Sequence, residues 1–179
     1  MATVARKVRL FFGLPVEPTL AATLAPLARD VAEQTCGRAV PQENLHATLA
    51  FLGTVAHAAV APLRSMADAL PRSSFGVSLD TLGSFRQARV AWIGAAQVPA
   101  ALQQMHAALS QALAAGGFSV EERPYHLHIT LARHCRAPLR RTTTPPLEWR
   151  VGRIVLFESV TAAAGPRYDA LETWTLDGR

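Results

Sequence analysis

Residues 45–50 read Leu45-His46-Ala47-Thr48-Leu49-Ala50, and residues 127–132 read Leu127-His128-Ile129-Thr130-Leu131-Ala132. Five of the six positions are identical, and self-similarity of this kind marks a repeated structural unit. Strict alternation of apolar and polar residues predicts a half-buried strand for each copy. Leu45, Ala47 and Leu49 then face a core while His46 and Thr48 point the other way, and the second copy divides identically. One such hexapeptide is an ordinary amphipathic strand. Two of only six histidines at matched positions of a repeat instead predict duplicated lobes that face a shared cleft.

Working outward from the two copies, apolar periodicity predicts a strand over residues 8–14 and a helix over 17–34, with Leu20, Leu24, Leu27 and Val31 on one face and Gly37 as its stop. The first motif extends as a strand over 44–52, followed by a helix over 58–70. Strands are expected over 75–82 and 89–93, and Pro99 opens a helix carrying Leu102, Met105, His106, Leu109 and Leu113, closed by Gly116 and Gly117. The second motif lies in a strand over 125–132. A loop rich in Arg, Thr and Pro runs through Pro146, and two last strands are expected near 149–159 and 168–176. Strands outnumber helices and no linker divides the chain. The expected fold is therefore α+β, a single domain over 1–179.

Half of the 179 residues are hydrophobic and 17% are charged, with no apolar stretch of membrane-spanning length; disorder, collagen and membrane helices are excluded. The apolar run near the start reaches Pro15 and Glu17 within a few residues, so it reads as the first strand of a cytoplasmic protein rather than as a leader. Eighteen basic residues against 13 acidic give a net charge of +5, which favours anionic partners such as a nucleotide or nucleic acid. Lys7 is the only lysine, and neither a nucleotidyl-lysine motif nor a phosphate-binding P-loop surrounds it. Cys36 and Cys135 stand in unrelated segments and read as reduced thiols.

A histidine and a threonine one residue apart lie roughly 6.5 Å apart along a strand, within reach of one small anion. Imidazole titrates near neutrality. Of two histidines flanking a phosphodiester, one can take a proton from water while the other gives one to the leaving oxygen. In-line displacement at phosphorus needs attacking and leaving groups on opposite sides, which two equivalent strands related by an approximate twofold supply. Thr48 and Thr130 would donate hydrogen bonds to the non-bridging oxygens, and Arg133 a charge-assisted contact to phosphate.

These residues resemble the RNA 2′,3′-cyclic phosphodiesterases, also called 2′,5′ RNA ligases, of the two-histidine phosphoesterase superfamily, which paired H-x-T-x motifs define. Here the pair is His46-Ala47-Thr48-Leu49 and His128-Ile129-Thr130-Leu131, and the whole stretch from Asn44 to Gly53 is similar to the family's first motif. The resemblance implies a bilobal fold: two pseudo-symmetric lobes of antiparallel strands, helices outside, a central cleft. It implies hydrolysis of a terminal 2′,3′-cyclic phosphate of RNA to a 2′-phosphate, without metal or nucleotide cofactor, by a monomer whose partners are RNA ends such as tRNA fragments. By the same carry-over His46 is the proton donor to the departing 3′ oxygen and His128 the acceptor that activates water; the near-symmetry of the motifs leaves this order open on the residues alone. Some relatives also join or split 2′,5′ linkages.

The chain departs from the family's R-P-F-x-P-H pattern in reading Arg123-Pro124-Tyr125-His126-Leu127-His128. On a strand, His126 would share a face with His128 and Thr130. This permits a second reading, a metal-dependent phosphohydrolase with His126, His128 and His46 as ligands and water as the fourth. Threonines at both matched positions and the lack of clustered acids speak against it. A third reading is a non-catalytic RNA-binding module using Arg133, Arg136, Arg140 and Arg141. His106 is expected to be a satisfied or partly buried core histidine, and Phe11, Phe12 and Tyr125 to be core aromatics; His57 and His134 have no partner identifiable in the sequence, and the adjacent His134 and Cys135 lack metal-ligand spacing.

Overall fold

The computed structural model describes residues 6–162 and 165–177. In chain order it forms β1 (Lys7–Pro15), α1 (Pro18–Gln34), β2 (Arg38–Ala39), β3 (His46–Ala56), α2 (Val60–Asp68), β4 (Phe75–Phe85), β5 (Val90–Gly94), α3 (Ala100–Ala115), β6 (His128–Arg133), β7 (Thr142–Val151), β8 (Arg153–Ala162) and β9 (Gly165–Thr175). The strands pair in the order β7-β4-β5-β6-β3-β1-β8-β9, with β2 beside β6, and every named pairing is antiparallel. No helix among the described residues is long and apolar enough to cross a membrane.

The two motif strands form the seam of this sheet. β3 and β6 are joined through one residue pair, Ala47 opposite Ile129. Outward from that seam, one lobe runs β3, β1, β8, β9 and the other β6, β5, β4, β7. The α+β architecture with two antiparallel lobes is as expected, and the lobes correspond strand for strand about the seam. Each also contains a strand–helix–strand unit ending in a motif strand: β1-α1-β3 in one, β5-α3-β6 in the other. The helices are exchanged. α1 packs on β6 and α3 on β3, so the floor beneath each motif strand comes from the other lobe's unit.

Apolar spacing explains these contacts. Ala21, Leu24, Ala28 and Val31 recur at three- and four-residue intervals on α1 and are all buried, as are Leu102, Met105, Leu109 and Leu113 on α3. β1 lies between β3 and β8 and is covered on both faces, which is why Leu10, Phe11, Phe12 and Leu14 are consecutive or nearly so and almost wholly buried. Fully burying one such side chain contributes about 1.5–3 kcal/mol.

Three expectations need correction, and one short strand was not expected at all. β6 begins at His128, not at 125, so Tyr125, His126 and Leu127 form a lead-in rather than strand. Residues 142–146 are not loop: they belong to β7, an edge strand whose position lets it carry Pro145 and Pro146, and its register on β4 slips between Leu79 and Thr81 beside them. The strand expected over 149–159 is two strands, because the chain leaves β7 at Gly152 and crosses to the other lobe as β8. The two-residue β2 carries no sequence signal of its own.

Candidate active site

Across the Ala47/Ile129 pair, the antiparallel register continued by one residue sets His46 opposite Thr130 and Thr48 opposite His128. The four side chains are partly exposed, while Ala47, Leu49, Ile129 and Leu131 between them are buried. The structure thus brings together the four motif residues on one face of the seam, each histidine beside the other motif's threonine.

The imidazoles are held alike. His46 Nδ1 lies 2.7 Å from the carbonyl oxygen of Asn44, and His128 Nδ1 lies 2.8 Å from that of His126, in each case two residues back along the chain. A carbonyl only accepts, so each Nδ1 carries the hydrogen and donates it. In the neutral ring this leaves Nε2 with its lone pair, free to act as base or to carry the second proton. Asn44 is itself fixed, its Nδ2 donating to Pro166 O at 2.9 Å.

Aromatic rings support both. His46 packs against Phe11 (centroids 4.9 Å apart), Tyr168 (5.0 Å) and Phe157 (6.0 Å). His128 meets Phe85 edge-on at 5.0 Å. Phe11, expected as core, is indeed 3% exposed, yet it forms the wall behind His46. Tyr125 is half-buried; it stacks on His106 of α3 at 4.2 Å and its hydroxyl donates to Thr48 O at 3.3 Å. His106 is thereby a packing residue that braces the first motif, and burial lowers its pKa.

A bulge at the same place in each motif governs what else faces the cleft. On β1, Phe12 pairs with Ala50 and Gly13 with Thr48, which leaves Leu49 as the extra residue; on β5, Ala91 pairs with Ala132 and Trp92 with Thr130, which leaves Leu131. An extra residue reverses the in-out alternation beyond it. Arg133 therefore joins the face of His128 and Thr130, and its Nη2 reaches the Tyr168 hydroxyl of the other lobe at 3.4 Å. The matching position in the first motif is Phe51, which sequence reasoning missed. It is 51% exposed, the only large hydrophobic side chain so exposed among the described residues, and the Arg9 guanidinium lies 4.6 Å from its ring centroid.

The surroundings disfavour the protonated form of both rings in the free protein. Burial, opposed by the Asn44 carbonyl contact and aided by the charges of Arg133 and His128, lowers the His46 pKa to about 4. Burial likewise lowers that of His128, again opposed by its carbonyl contact and aided by His126 and Arg133. Each ring is close enough to feel the same guanidinium, and His46 also feels the charge of His128.

His126 does not continue the polar row. Its exposed ring packs edge-on against Trp92 (4.6 Å) and Phe85 (5.3 Å), and its contribution to His128 is its backbone carbonyl. Among the described residues no three His, Cys, Asp or Glu side chains gather as metal ligands, so His46, His126 and His128 do not form the three-histidine ligand set considered from sequence. Of the downstream arginines, Arg141 is near enough for its charge to lower the His126 pKa. Arg136 lies instead at the far end of β6, beside His134 and Cys36.

Residues 16–162 match the family model of the 2'-5' RNA ligase superfamily. The chain is 32% identical over 171 residues, 94% of its length and 96% of the relative's, to an Escherichia coli protein named RNA 2',3'-cyclic phosphodiesterase. It is 29% identical to a Thermotoga maritima protein of the same name, over 78% of this chain and 79% of that one. Among solved structures, Escherichia coli LigT complexed with 3'-AMP superposes with a TM-score of 0.84 at 31% identity, covering 96% of this chain and 99% of the other. TT0787 of Thermus thermophilus superposes with a TM-score of 0.80 at 26% identity, over 95% and 98% of the two chains. The chain belongs to the 2'-5' RNA ligase superfamily.

Proposed function

We propose that this protein hydrolyses the 2′,3′-cyclic phosphate at the end of an RNA strand to a 2′-phosphate, using the two motif histidines as acid and base and no metal. The observation that carries the reading is the matched pair of imidazoles, each locked by its own chain two residues back and presenting a bare Nε2 across a seam one residue pair wide.

His128 Nε2 takes a proton from water as the water oxygen bonds to phosphorus. The bond from phosphorus to the 3′ oxygen breaks, and His46 delivers a proton to that oxygen. Thr48 and Thr130 donate hydroxyl hydrogens to the non-bridging oxygens, and Arg133 balances their charge. After the step His128 is protonated and His46 neutral, so the pair resets by exchanging one proton with solvent. The order of roles follows the family resemblance. Its electrostatic demand is clear: His46 is neutral in the free protein, so the substrate's negative charge must raise its pKa and bring a proton with it. The same chemistry with a ribose hydroxyl in place of water gives reversible 2′,5′ joining.

The test is an oligoribonucleotide ending in a 2′,3′-cyclic phosphate, incubated with the protein and a chelator, with the product isomer identified. A 2′-phosphate is expected, and His46→Ala and His128→Ala should each abolish its formation while leaving the circular dichroism spectrum unchanged. Full activity in either variant, or activity lost to the chelator, refutes the mechanism.

A further inference from the structure

Among the described residues, three other than glycine adopt left-handed backbone: Cys36 (φ 49°), Arg89 (φ 53°) and His134 (φ 56°). They come from three distant segments, the α1–β2 turn, the β4–β5 hairpin and the end of β6. All three line one cavity of about 460 Å³, together with Gly37, Arg38 and Arg136. A neighbouring cavity of about 400 Å³ shares Arg89 and Arg136 and adds Arg86. Strained backbone outside glycine persists where its surroundings over-determine it, and it concentrates at functional sites.

The walls are stitched together by three main-chain hydrogen bonds and one from an arginine side chain. Cys135 N–H donates to Arg89 O at 3.0 Å, Arg89 Nε donates to Cys135 O at 3.2 Å, and the N–H groups of Arg136 and Ala137 both donate to Thr35 O, at 2.8 and 3.0 Å. Gly37 fits only because it lacks a side chain: a Cβ there would stand 2.9 Å from Arg133 O. The guanidinium groups therefore rise from a preformed base. No acidic residue lines either cavity, and the ion pairs among the described residues use other arginines: Arg6, Arg64, Arg72, Arg123 and Arg167. Three exposed arginines without a carboxylate partner among the described residues, Arg38, Arg89 and Arg136, converge on the first cavity, and Arg86 lines the second.

The register ties this concavity to the cleft. Arg38 on β2 stands directly opposite Arg133 on β6, and directly opposed residues share a face of the sheet. From His128 the strand runs five residues to Arg133, roughly 16 Å at 3.3 Å per residue, and the arginine pocket continues beyond it. The first cavity is lined by three arginines and His134 and by no Phe, Tyr or Trp, a lining whose charge suits phosphates.

We infer that Arg38, Arg89 and Arg136 form a second anion site, which holds the phosphodiester backbone of a single RNA strand whose end occupies the cleft. This rests on the proposed reading of the cleft as an RNA site and extends it to the body of the strand. The affinity would fall with salt in proportion to the number of phosphates held.

The test compares the wild-type protein with an Arg38→Ser/Arg136→Ser double variant and an Arg153→Ser control. Binding of a fluorescent RNA decamer ending in a 3′-hydroxyl is followed by anisotropy between 50 and 200 mM salt. The double variant should bind the decamer roughly tenfold more weakly, with a log–log salt slope smaller by about 1.4, two contacts at 0.7 each. A dinucleotide should bind the double variant and the wild type alike, and the control should match the wild type throughout. Equal decamer affinity in the double variant overturns the inference, as does an equal loss for dinucleotide and decamer, which would mark a small-anion site. Hydrolysis of a mononucleoside 2′,3′-cyclic phosphate, measured in the same preparations, should be unchanged by the double substitution. Its absence from the wild type would refute the proposed reaction, while the pocket stands or falls on the anisotropy.

Discussion

Gly94 is the last residue of β5 and pairs directly with His128. A methyl group there would lie 2.5 Å from the Leu127 carbonyl oxygen and 3.3 Å from the Trp92 ring. Ordinary contact begins near 3.4 Å and nothing tolerates less than 3.0 Å, so in Gly94→Ala the Leu127 carbonyl must retreat by between half and nine-tenths of an ångström. The peptide that moves is the one that ends at His128. A misplacement of about 1 Å at a reacting group costs up to about 10²-fold in rate, so we expect kcat to fall roughly 10- to 100-fold with KM nearly unchanged. Overpacking also costs about 1–3 kcal/mol of stability, which a urea titration reads separately. Gly76→Ala is the control, since a Cβ at that position of β4 meets nothing within 4 Å, and it should leave kcat alone. The assay is initial-rate hydrolysis of a mononucleoside 2′,3′-cyclic phosphate at a temperature where both variants are folded. Wild-type kcat in Gly94→Ala, or the same loss in Gly76→Ala, would show that strand placement does not set the position of His128.

Because kcat/KM reports the free protein, and both imidazoles titrate below their usual value there, its pH profile should be a bell with both limbs below 6.5 and the acid limb near 4; a plateau extending to pH 8 contradicts this. Arg133→Gln removes a charge that lowers both pKa values, so it should move the whole bell upward as it weakens turnover, and an unmoved bell would place Arg133 away from the rings. Stability should follow the same groups: the unfolded chain binds a proton to His46 near pH 6.5 and the native protein only near 4, so stability is full above 6.5 and falls as pH drops, by about 3 kcal/mol at pH 4. Urea titrations should show His46→Asn losing correspondingly less over that interval, and an identical loss would refute the linkage. Thr48→Val and Thr130→Val should each lower kcat about tenfold, against 10²-fold or more for either histidine, since a neutral hydrogen bond is easier to spare than a proton carrier; equal losses would mean that the threonines do more than donate.

Much of this was legible in six-residue arithmetic. The repeat predicts two strands, their common face, and the meeting of His46, Thr48, His128 and Thr130, because strand periodicity is a local property and both copies obey it. Helix spacing on α1 and α3 is equally local. Alternation fails at the bulges. Counting by twos from His128 sends Arg133 toward the core, and only the surplus residue at Leu131 returns it to the histidine face. Nothing in the sequence marks Leu131 apart from its twin Leu49, so Phe51 stayed hidden as well, although it sits at the same offset from its histidine. β7 escaped because prolines suggest a loop, and whether a strand lies at an edge is decided by partners distant in sequence. The arginine pocket is the extreme case, assembled from three turns far apart along the chain.

The exchange of α1 and α3 across the seam carries a consequence for how the molecule comes into being. A polypeptide cut at the Gly116-Gly117 turn would yield one piece with α1 but without β6 to cover it, and another with β6 but without α1. Neither piece could hide its greasiest surface by itself, and order would return only on mixing the two. Like clasped hands, the halves must arrive together, and synthesis has to run past residue 133 before the earliest helix finds its resting place.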